Sequence, residues 1–275
     1  MGSLASDHNE DDQVPTIDYL MLFSPDPHQR SKALDHLTHA CLDFGFFYLV
    51  NHGIPDDVFE SVFKGISDFF DPTEVEDRRH EGMDDYFNRM REVVRGLGKA
   101  VSKTLGFEEC YIDKAFNLES GFDVSAMNLY PPNFESKGAV GVPDHTDPGF
   151  FVSLIQDING GLQILSHTGS WINVVNMPPN AIFINLGDHL EILTNGKYKS
   201  HVHRVVVDNN KVKRISVATL HGPSLDTMVK PAPEFVDDSH PPAYRGATYK
   251  QSLEANGGDE IDVQSSIDQL RLQAL

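Results

Sequence analysis

The chain has 275 residues, with 40% in the set AVILMFWYC and 23% charged, an ordinary balance for a globular protein with a real core. Its 22 lysines and arginines stand against 41 acidic residues, and the resulting net charge of −19 argues against a nucleic-acid binder. Two cysteines, Cys41 and Cys110, cannot make a disulfide scaffold or a four-cysteine zinc site. No apolar run approaches the roughly 18 residues of a membrane span, and no basic-then-apolar leader opens the chain. The expectation is a cytoplasmic, acidic monomer without nucleic-acid or membrane partners.

Residues 1–13 are polar and acidic and are expected to form a disordered tail. They open M-G-x-x-x-S through Gly2 and Ser6, a loose acylation pattern. No basic patch follows to reinforce a single acyl chain, so an unmodified tail is the simpler reading. A short strand is expected over 14–20. Helical spacing of Ala33, Leu34, Leu37, Ala40, Cys41 and Phe44 predicts a helix over 29–44. GFFYLVNHG (45–53) has the density of a buried strand. Val58, Phe59, Val62, Phe63, Ile66 and Phe69 put a second helix over 55–70, and a long third helix runs from about 84 to 105.

After Gly121 the texture changes. Short β-rich runs recur at 124–130, 150–156, 161–166, 171–175, 181–186, 202–207 and 212–220, separated by turn signals such as DPG, HTGS and DNNK. This pitch predicts a sandwich or barrel and not alternating βαβ units. The tail from Tyr244 reads as polar helix with a break at Gly257–Gly258. The chain therefore divides into an N-terminal helix-and-strand module (14–120), a β core (121–225) and a C-terminal helical segment (226–275).

Thirteen histidines are many for this length. His145 and Asp147 stand apart, two residues from each other at the mouth of the run FFVSLIQD. Strand periodicity would put both side chains on one face, as two corners of a metal site. A third corner is offered by His201 or His203, in the segment KSHVHRV. The runs 202–207 and 212–220 read as an antiparallel hairpin across DNNK. If that loop is symmetric about the Asn209–Asn210 bond, His203 faces Ser216, and Arg214 shares their face. Two histidines and a carboxylate form a facial triad that leaves coordination positions open, the arrangement of non-haem Fe(II) oxygenases. An Arg/Ser pair beside it suits a dicarboxylate.

VPTIDYL, ACLDFGFFYLVNHGIP, the Asn128-Leu129-Tyr130-Pro131-Pro132 segment, HTD, NLGDHLEILTNGKYKSHVHRV and RISVATLHGP together resemble a plant-type 2-oxoglutarate- and Fe(II)-dependent dioxygenase, of the isopenicillin N synthase-like superfamily. That resemblance implies a mainly β fold with flanking helices, around a double-stranded β-helix (jelly-roll) core. It implies Fe(II) held by His145, Asp147 and His203, which are also the catalytic centre, with His201 a neighbour. It implies that Arg214 and Ser216 hold the far carboxylate of 2-oxoglutarate, that Asn128 and Tyr130 contact the cosubstrate, and that ascorbate serves as reductant. The activity implied is oxidation of a small organic substrate by 2-oxoglutarate and O₂, releasing succinate and CO₂, and Phe151 is expected near that substrate. In the family, the stretch after the HGIP helix is usually longer. Here DFFDPTEVEDRRH passes almost directly into EGMDDYFNRMREVV, so a truncated form that binds Fe(II) and 2-oxoglutarate without turnover is a second reading. An ascorbate-dependent oxidase of the ethylene-forming type is a third. A cupin-like binding module accounts for neither the Arg/Ser pair nor the N-terminal segments.

Overall fold

The computed structural model describes residues 14–71, 83–132, 140–207, 212–255 and 267–272. The expected tail and acylation pattern (1–13), most of the shortened stretch (72–82), the DNNK turn (208–211) and the Gly257–Gly258 break lie outside them. In chain order the front of the molecule comprises strand β1 (Thr16–Asp18), helix α1 (Pro27–His39), β2 (Phe46–Val50), α2 (Asp56–Phe69), α3 (Met83–Thr104) and a short α4 (Tyr111–Phe116). Helix α1 begins two residues before its expected start, because the Asp26 side chain caps the His28 amide and Pro27 pre-sets the first turn. It then widens into a π-turn over 40–44, closed by Gly45 in the left-handed region.

The β core contains β3 (Asp123–Tyr130), β4 (Val140–His145), β5 (Phe151–Gln156), β6 (Leu162–Leu165), β7 (Trp171–Asn173), β8 (Ile182–Leu186), helix α5 (Asp188–Leu193), β9 (His203–Val206) and β10 (Arg214–His221). All seven expected runs form strands, and β4 is an addition. Its sequence, VGVPDH, carries a glycine and a proline that read as loop. Beyond the core, β11 (Met228–Val229) and β12 (Ala247–Thr248) make a small ribbon, followed by α6 (Tyr249–Ala255). Among its described residues, this closing segment is less helical than its sequence suggests.

The strands form two facing sheets. The larger has the order β1-β2-β8-β5-β10-β3, and the smaller β4-β9-β6-β7. From β3 to β10 the chain changes sheet at every connection except β6–β7, which is the path of a double-stranded β-helix. The expected hairpin of β9 with β10 is therefore not formed. Strand β9 pairs with β4 and β6, while β10 lies between β5 and β3. Burial shows why the two cannot be neighbours. Strand β9 alternates buried and half-buried residues, as a sheet with one wet face requires, whereas β10 is covered on both faces along most of its length.

One core cluster fills the space between the sheets, with Phe46, Leu154, Ile164, Phe183 and Val205 among its members. A larger one joins the outer face of the major sheet to the helices through Tyr86, Met90, Val94, Leu97 and Val101 of α3. These positions recur at helical spacing, so α3 lays one apolar stripe on the sheet. Phe151 belongs to this outer cluster and points at the helices, not toward the sandwich interior as expected of a substrate contact. The same outer face holds a buried polar relay. Ser153 Oγ lies 2.9 Å from His221 Nε2, His221 Nδ1 lies 3.4 Å from Asp123, and Arg91 lies 3.2 Å from the other Asp123 oxygen. The pattern is that of a nucleophile, base and acid, but Ser153 is 0% exposed, so the relay is a structural tie between sheet and helix.

Two buried histidines, His52 and His189, and the half-buried His201 sit in the fold as neutral rings. The amide of Gly149 donates to His189 Nδ1 at 3.1 Å, and that of Ile54 donates to His52 Nδ1 at 3.2 Å. Burial lowers the pKa of His52, His189 and His201, that of His189 to about 4. An unfolded chain takes up these protons below about pH 6.5, so their contribution to stability is full above that pH and is lost as pH falls toward 4. For His189 the loss amounts to about 3 kcal/mol. Urea unfolding from pH 7 to pH 4 will therefore show a shallower loss of stability in His189→Gln than in wild type. Equal slopes would refute this account.

Candidate metal and cosubstrate site

The chain's path through the two sheets carries distant residues to one end of the sandwich. His145 closes β4 and His203 opens β9, and the two are direct cross-strand partners with ring centroids 4.2 Å apart. Asp147 lies in the loop beyond β4, so a turn and not strand alternation brings it round to them. Its Oδ1 is 3.4 Å from His145 Nε2 and its Oδ2 is 3.1 Å from His203 Nε2. One ligand atom from each of the three residues falls within 4.8 Å of the others.

The turn that turns Asp147 inward has no room for side chains. Gly149 adopts φ 108°, and a Cβ there would meet the His221 carbonyl at 2.8 Å. Across from it, a Cβ on Gly187 would lie 2.5 Å from the Gly149 carbonyl oxygen. Backbone bonds from Asp188 N to Asp147 O (2.9 Å) and from His189 N to Gly149 O (2.8 Å) then fasten the loop to α5.

Both imidazoles are held in one tautomer. His145 Nδ1 is 2.7 Å from the Pro143 carbonyl, and His203 Nδ1 is 3.2 Å from the His201 carbonyl. A carbonyl only accepts, so each Nδ1 carries a proton and each Nε2 is the nitrogen that faces Asp147. This is how proteins orient metal-binding histidines, through the nitrogen that does not bind. Charge tells the same story. Burial works against a charged His145 ring, but the Asp147 carboxylate outweighs it and raises the pKa. Burial would likewise raise Asp147, yet His203 and His145 hold it well below the usual carboxylate range. A nearly dry carboxylate with two Nε2 atoms beside it, in surroundings that favour positive charge, fits a divalent cation with nitrogen and oxygen preferences such as Fe(II), which would take the place of the imidazole protons.

His201 stays outside the cluster. It precedes β9, its Nδ1 meets the Leu165 carbonyl at 3.0 Å, and its ring packs edge-on against Phe46. Of the two candidates in KSHVHRV for the third corner, His203 and not His201 lies beside His145 and Asp147.

The anchor pair lies on β10. Arg214 is 1% exposed and Ser216 is 1% exposed, both facing the sandwich interior. Their true cross-strand partners are Tyr130 and Asn128 of β3, replacing the expected pairing with His203. Four residues named separately from sequence thus form two adjacent rungs. The guanidinium donates through Nη1 to Ser216 Oγ (3.0 Å), through Nη2 to Gln156 Oε1 (3.0 Å) and through Nε to the Gly160 carbonyl, and it sits 5.3 Å from the Tyr130 ring. These hydrogen-bond partners are neutral, and of the five N–H groups one on each terminal nitrogen has no hydrogen-bond partner among the described residues. Burial lowers the pKa of Arg214, so the interior favours any arrangement that adds a negative partner. Asn128 is half-buried on the same rung, with its amide 3.5 Å from the Ala126 carbonyl.

Gln156 was not singled out from sequence. The signal was present, since Val152, Leu154 and Gln156 alternate on the inward face of β5, and a polar residue at an inward position needs a buried partner.

Comparison with known proteins identifies a family. Residues 121–223 match the model of the 2OG-Fe(II) oxygenase superfamily, and residues 14–124 match that of the N-terminal region described as non-haem dioxygenase in morphine synthesis. Thebaine 6-O-demethylase of Papaver somniferum is 31% identical, with 98% of this chain and 88% of that protein covered. 2-Oxoglutarate-dependent dioxygenase 19 of Oryza sativa subsp. japonica is 29% identical over 94% of this chain and 90% of its own length. Among solved structures, that of JOX2 in complex with 2OG, Fe and JA superposes with a TM-score of 0.83 at 23% identity, covering 94% of this chain and 89% of that one. The rice dioxygenase for auxin oxidation gives a TM-score of 0.79 at 22% identity, covering 94% and 100%. With its jelly-roll path, its paired histidines and its buried arginine already in view, the chain belongs to the superfamily of 2-oxoglutarate- and Fe(II)-dependent dioxygenases.

Proposed function

We propose that this protein oxidises a small organic metabolite with His145, Asp147 and His203 holding Fe(II), and with Arg214, Ser216, Asn128 and Tyr130 receiving 2-oxoglutarate. The observation that carries the reading is the pair of imidazoles whose Nδ1 protons are occupied and whose Nε2 atoms converge beside one buried carboxylate. Loaded with Fe(II) and 2-oxoglutarate, such a site couples O₂ reduction and release of succinate and CO₂ to two-electron oxidation of a substrate. The chain's own part is to hold and orient. Arg214 supplies a charge-assisted grip on the remote carboxylate, Ser216 adds its hydroxyl proton, and Gln156 and Gly160 keep the guanidinium from turning.

Relatives carry names such as codeine O-demethylase (Papaver somniferum) and flavanone 3-dioxygenase 3 (Oryza sativa subsp. japonica). They support a substrate from plant specialised metabolism and an outcome of hydroxylation, desaturation or demethylation. We place the protein in the cytoplasm as a monomer, with ascorbate as reductant and without nucleic-acid or membrane partners. No helix among the described residues is long and apolar enough to cross a membrane. The division into a module at 14–120, a core at 121–225 and a closing segment at 226–275 is part of the same proposal.

One observation favours the second reading, binding without turnover. The alignment with thebaine 6-O-demethylase spans 330 positions, more than the 275 residues of this chain, so the relative has residues opposite gaps here. Enclosure of the reacting centre matters because water must be kept from it.

Anaerobic addition of Fe(II) and 2-oxoglutarate will produce the weak visible charge-transfer band of the chelate in wild type and in His201→Ala. Asp147→Ala and His203→Ala will abolish it. Loss in His201→Ala with retention in His203→Ala would overturn the ligand assignment. On admission of air, succinate separates an oxygenase from a protein that only binds, and its 1:1 ratio to oxidised substrate separates it from an ascorbate-dependent oxidase. For Arg214→Ala, loss of a charge-assisted contact of about 1.5–3 kcal/mol will raise the 2-oxoglutarate concentration for half-saturation on the order of 10- to 100-fold. An unchanged half-saturation would remove Arg214 from the cosubstrate site.

A further inference from the structure

The smaller sheet has a side-chain ladder on its outer face, directly behind the two histidines. Asp144, Arg204, Gln163 and Asn173 come from β4, β9, β6 and β7, one from each strand. Arg204 Nη1 lies 3.6 Å from Asp144 Oδ1, Arg204 Nε donates to Gln163 Oε1 at 2.8 Å, and Gln163 Nε2 donates to Asn173 Oδ1 at 2.8 Å. The guanidinium also stacks 3.8 Å above the ring of Trp171, the chain's single tryptophan. Arg204 directly faces Gln163 across the strands, and Gln163 faces Asn173, so the contacts follow the register of the sheet.

The ladder spans the second of two breaks in the backbone pairing of β4 with β9. Between the rungs Val142–Val205 and His145–His203, two residues of β4, Pro143 and Asp144, oppose the single residue Arg204. This is a β-bulge, the device that re-aims a side chain beside a site. Pro143 has no N–H to give the ladder, and its carbonyl is taken by His145 Nδ1. Strand β4 is moreover an edge strand, paired only with β9 among the described residues. The main chain thus leaves the position of His145 relative to His203 weakly fixed at the bulge, and the Asp144–Arg204 pair bridges it there.

We infer that Arg204, clamped between Asp144 and Trp171, is a positioning residue that sets the spacing of His145 and His203 and so tunes the metal affinity of the site. The inference rests on the reading of His145, Asp147 and His203 as a metal centre. Arg204 touches neither metal nor substrate. It holds the bulge closed from the outer face of the sheet, and stacking on Trp171 keeps its long side chain from turning away into solvent.

Calorimetric titration with Mn(II) at 10 °C tests this without turnover. Arg204→Ala will weaken Mn(II) binding about tenfold, in the range for loss of outer-shell support. Asp144→Ala will weaken it less, and the double variant no more than Arg204→Ala alone, because the two share one contact. Arg204→Lys, which keeps the charge opposite Asp144, will recover part of the affinity, and it carries the test with Asp144→Ala should Arg204→Ala fail to fold. Trp171 emission will shift in Arg204→Ala before any metal is added. Mn(II) affinity within twofold of wild type in these variants, whatever their thermal stability, would overturn the inference. Equal binding by wild type and Asp147→Ala would instead overturn the metal-centre reading on which it rests.

Discussion

Charge inside a closed sandwich is costly unless something answers it, and this sandwich holds charge in two places. Around Asp147 the answer is built in, because two imidazoles lie against the carboxylate oxygens and their own far nitrogens are spoken for. Around Arg214 the answer is incomplete. A hydroxyl, an amide and a carbonyl satisfy part of the guanidinium's hydrogen bonding, and the attraction of Asp157 does not offset the burial that lowers its pKa. The asymmetry suits the proposed site for a metal chelated by a dicarboxylate, with a carboxylate between nitrogens at one end and an arginine at the other. The net charge of −19 does not decide this, since the field at a buried site is set by its nearest groups.

That arrangement depends on a chain that keeps crossing between sheets. Had β9 and β10 formed the hairpin their intervening turn suggests, His203 and Arg214 would lie in one sheet, with one of its faces wet. Crossing puts the histidine strand in the smaller sheet and the arginine strand in the middle of the larger one, so the two side chains approach a shared interior from opposite walls. The N-terminal module joins in, because β1 and β2 extend the larger sheet beyond β8. The helices then cover the outer face of that sheet, which explains why β5, β8 and β10 are buried along nearly their whole length.

The site's precision comes from features that look like irregularities in the sequence. Pro143 breaks a strand and supplies the carbonyl that orients His145. Gly149 and Gly187 weaken their segments and let two loops approach within ordinary van der Waals limits. Gln156 interrupts an apolar face and holds Arg214. Each is a local departure from strand or core preference at a place where a side chain must be aimed.

Composition and periodicity were enough to read the helices over 55–70 and 84–105, the seven strands of the core and the sandwich class, because burial of one face imposes a period that survives in the residues themselves. The residues of the proposed site stand out in the sequence too, since His145, Asp147, His203 and the Arg214–Ser216 pair are few, polar and embedded in apolar runs. Which of these face each other was a different kind of question. Strand β4 escaped notice because a proline and a glycine hide it, and the β9–β10 hairpin was misread because a turn sequence says that the chain reverses but not into which sheet it goes. Pairing is decided by which faces the rest of the molecule covers, a long-range property that no local pattern contains. Only the tertiary structure therefore placed Arg214 opposite Tyr130, excluded His201 from the cluster and set Arg204 across the bulge behind His145.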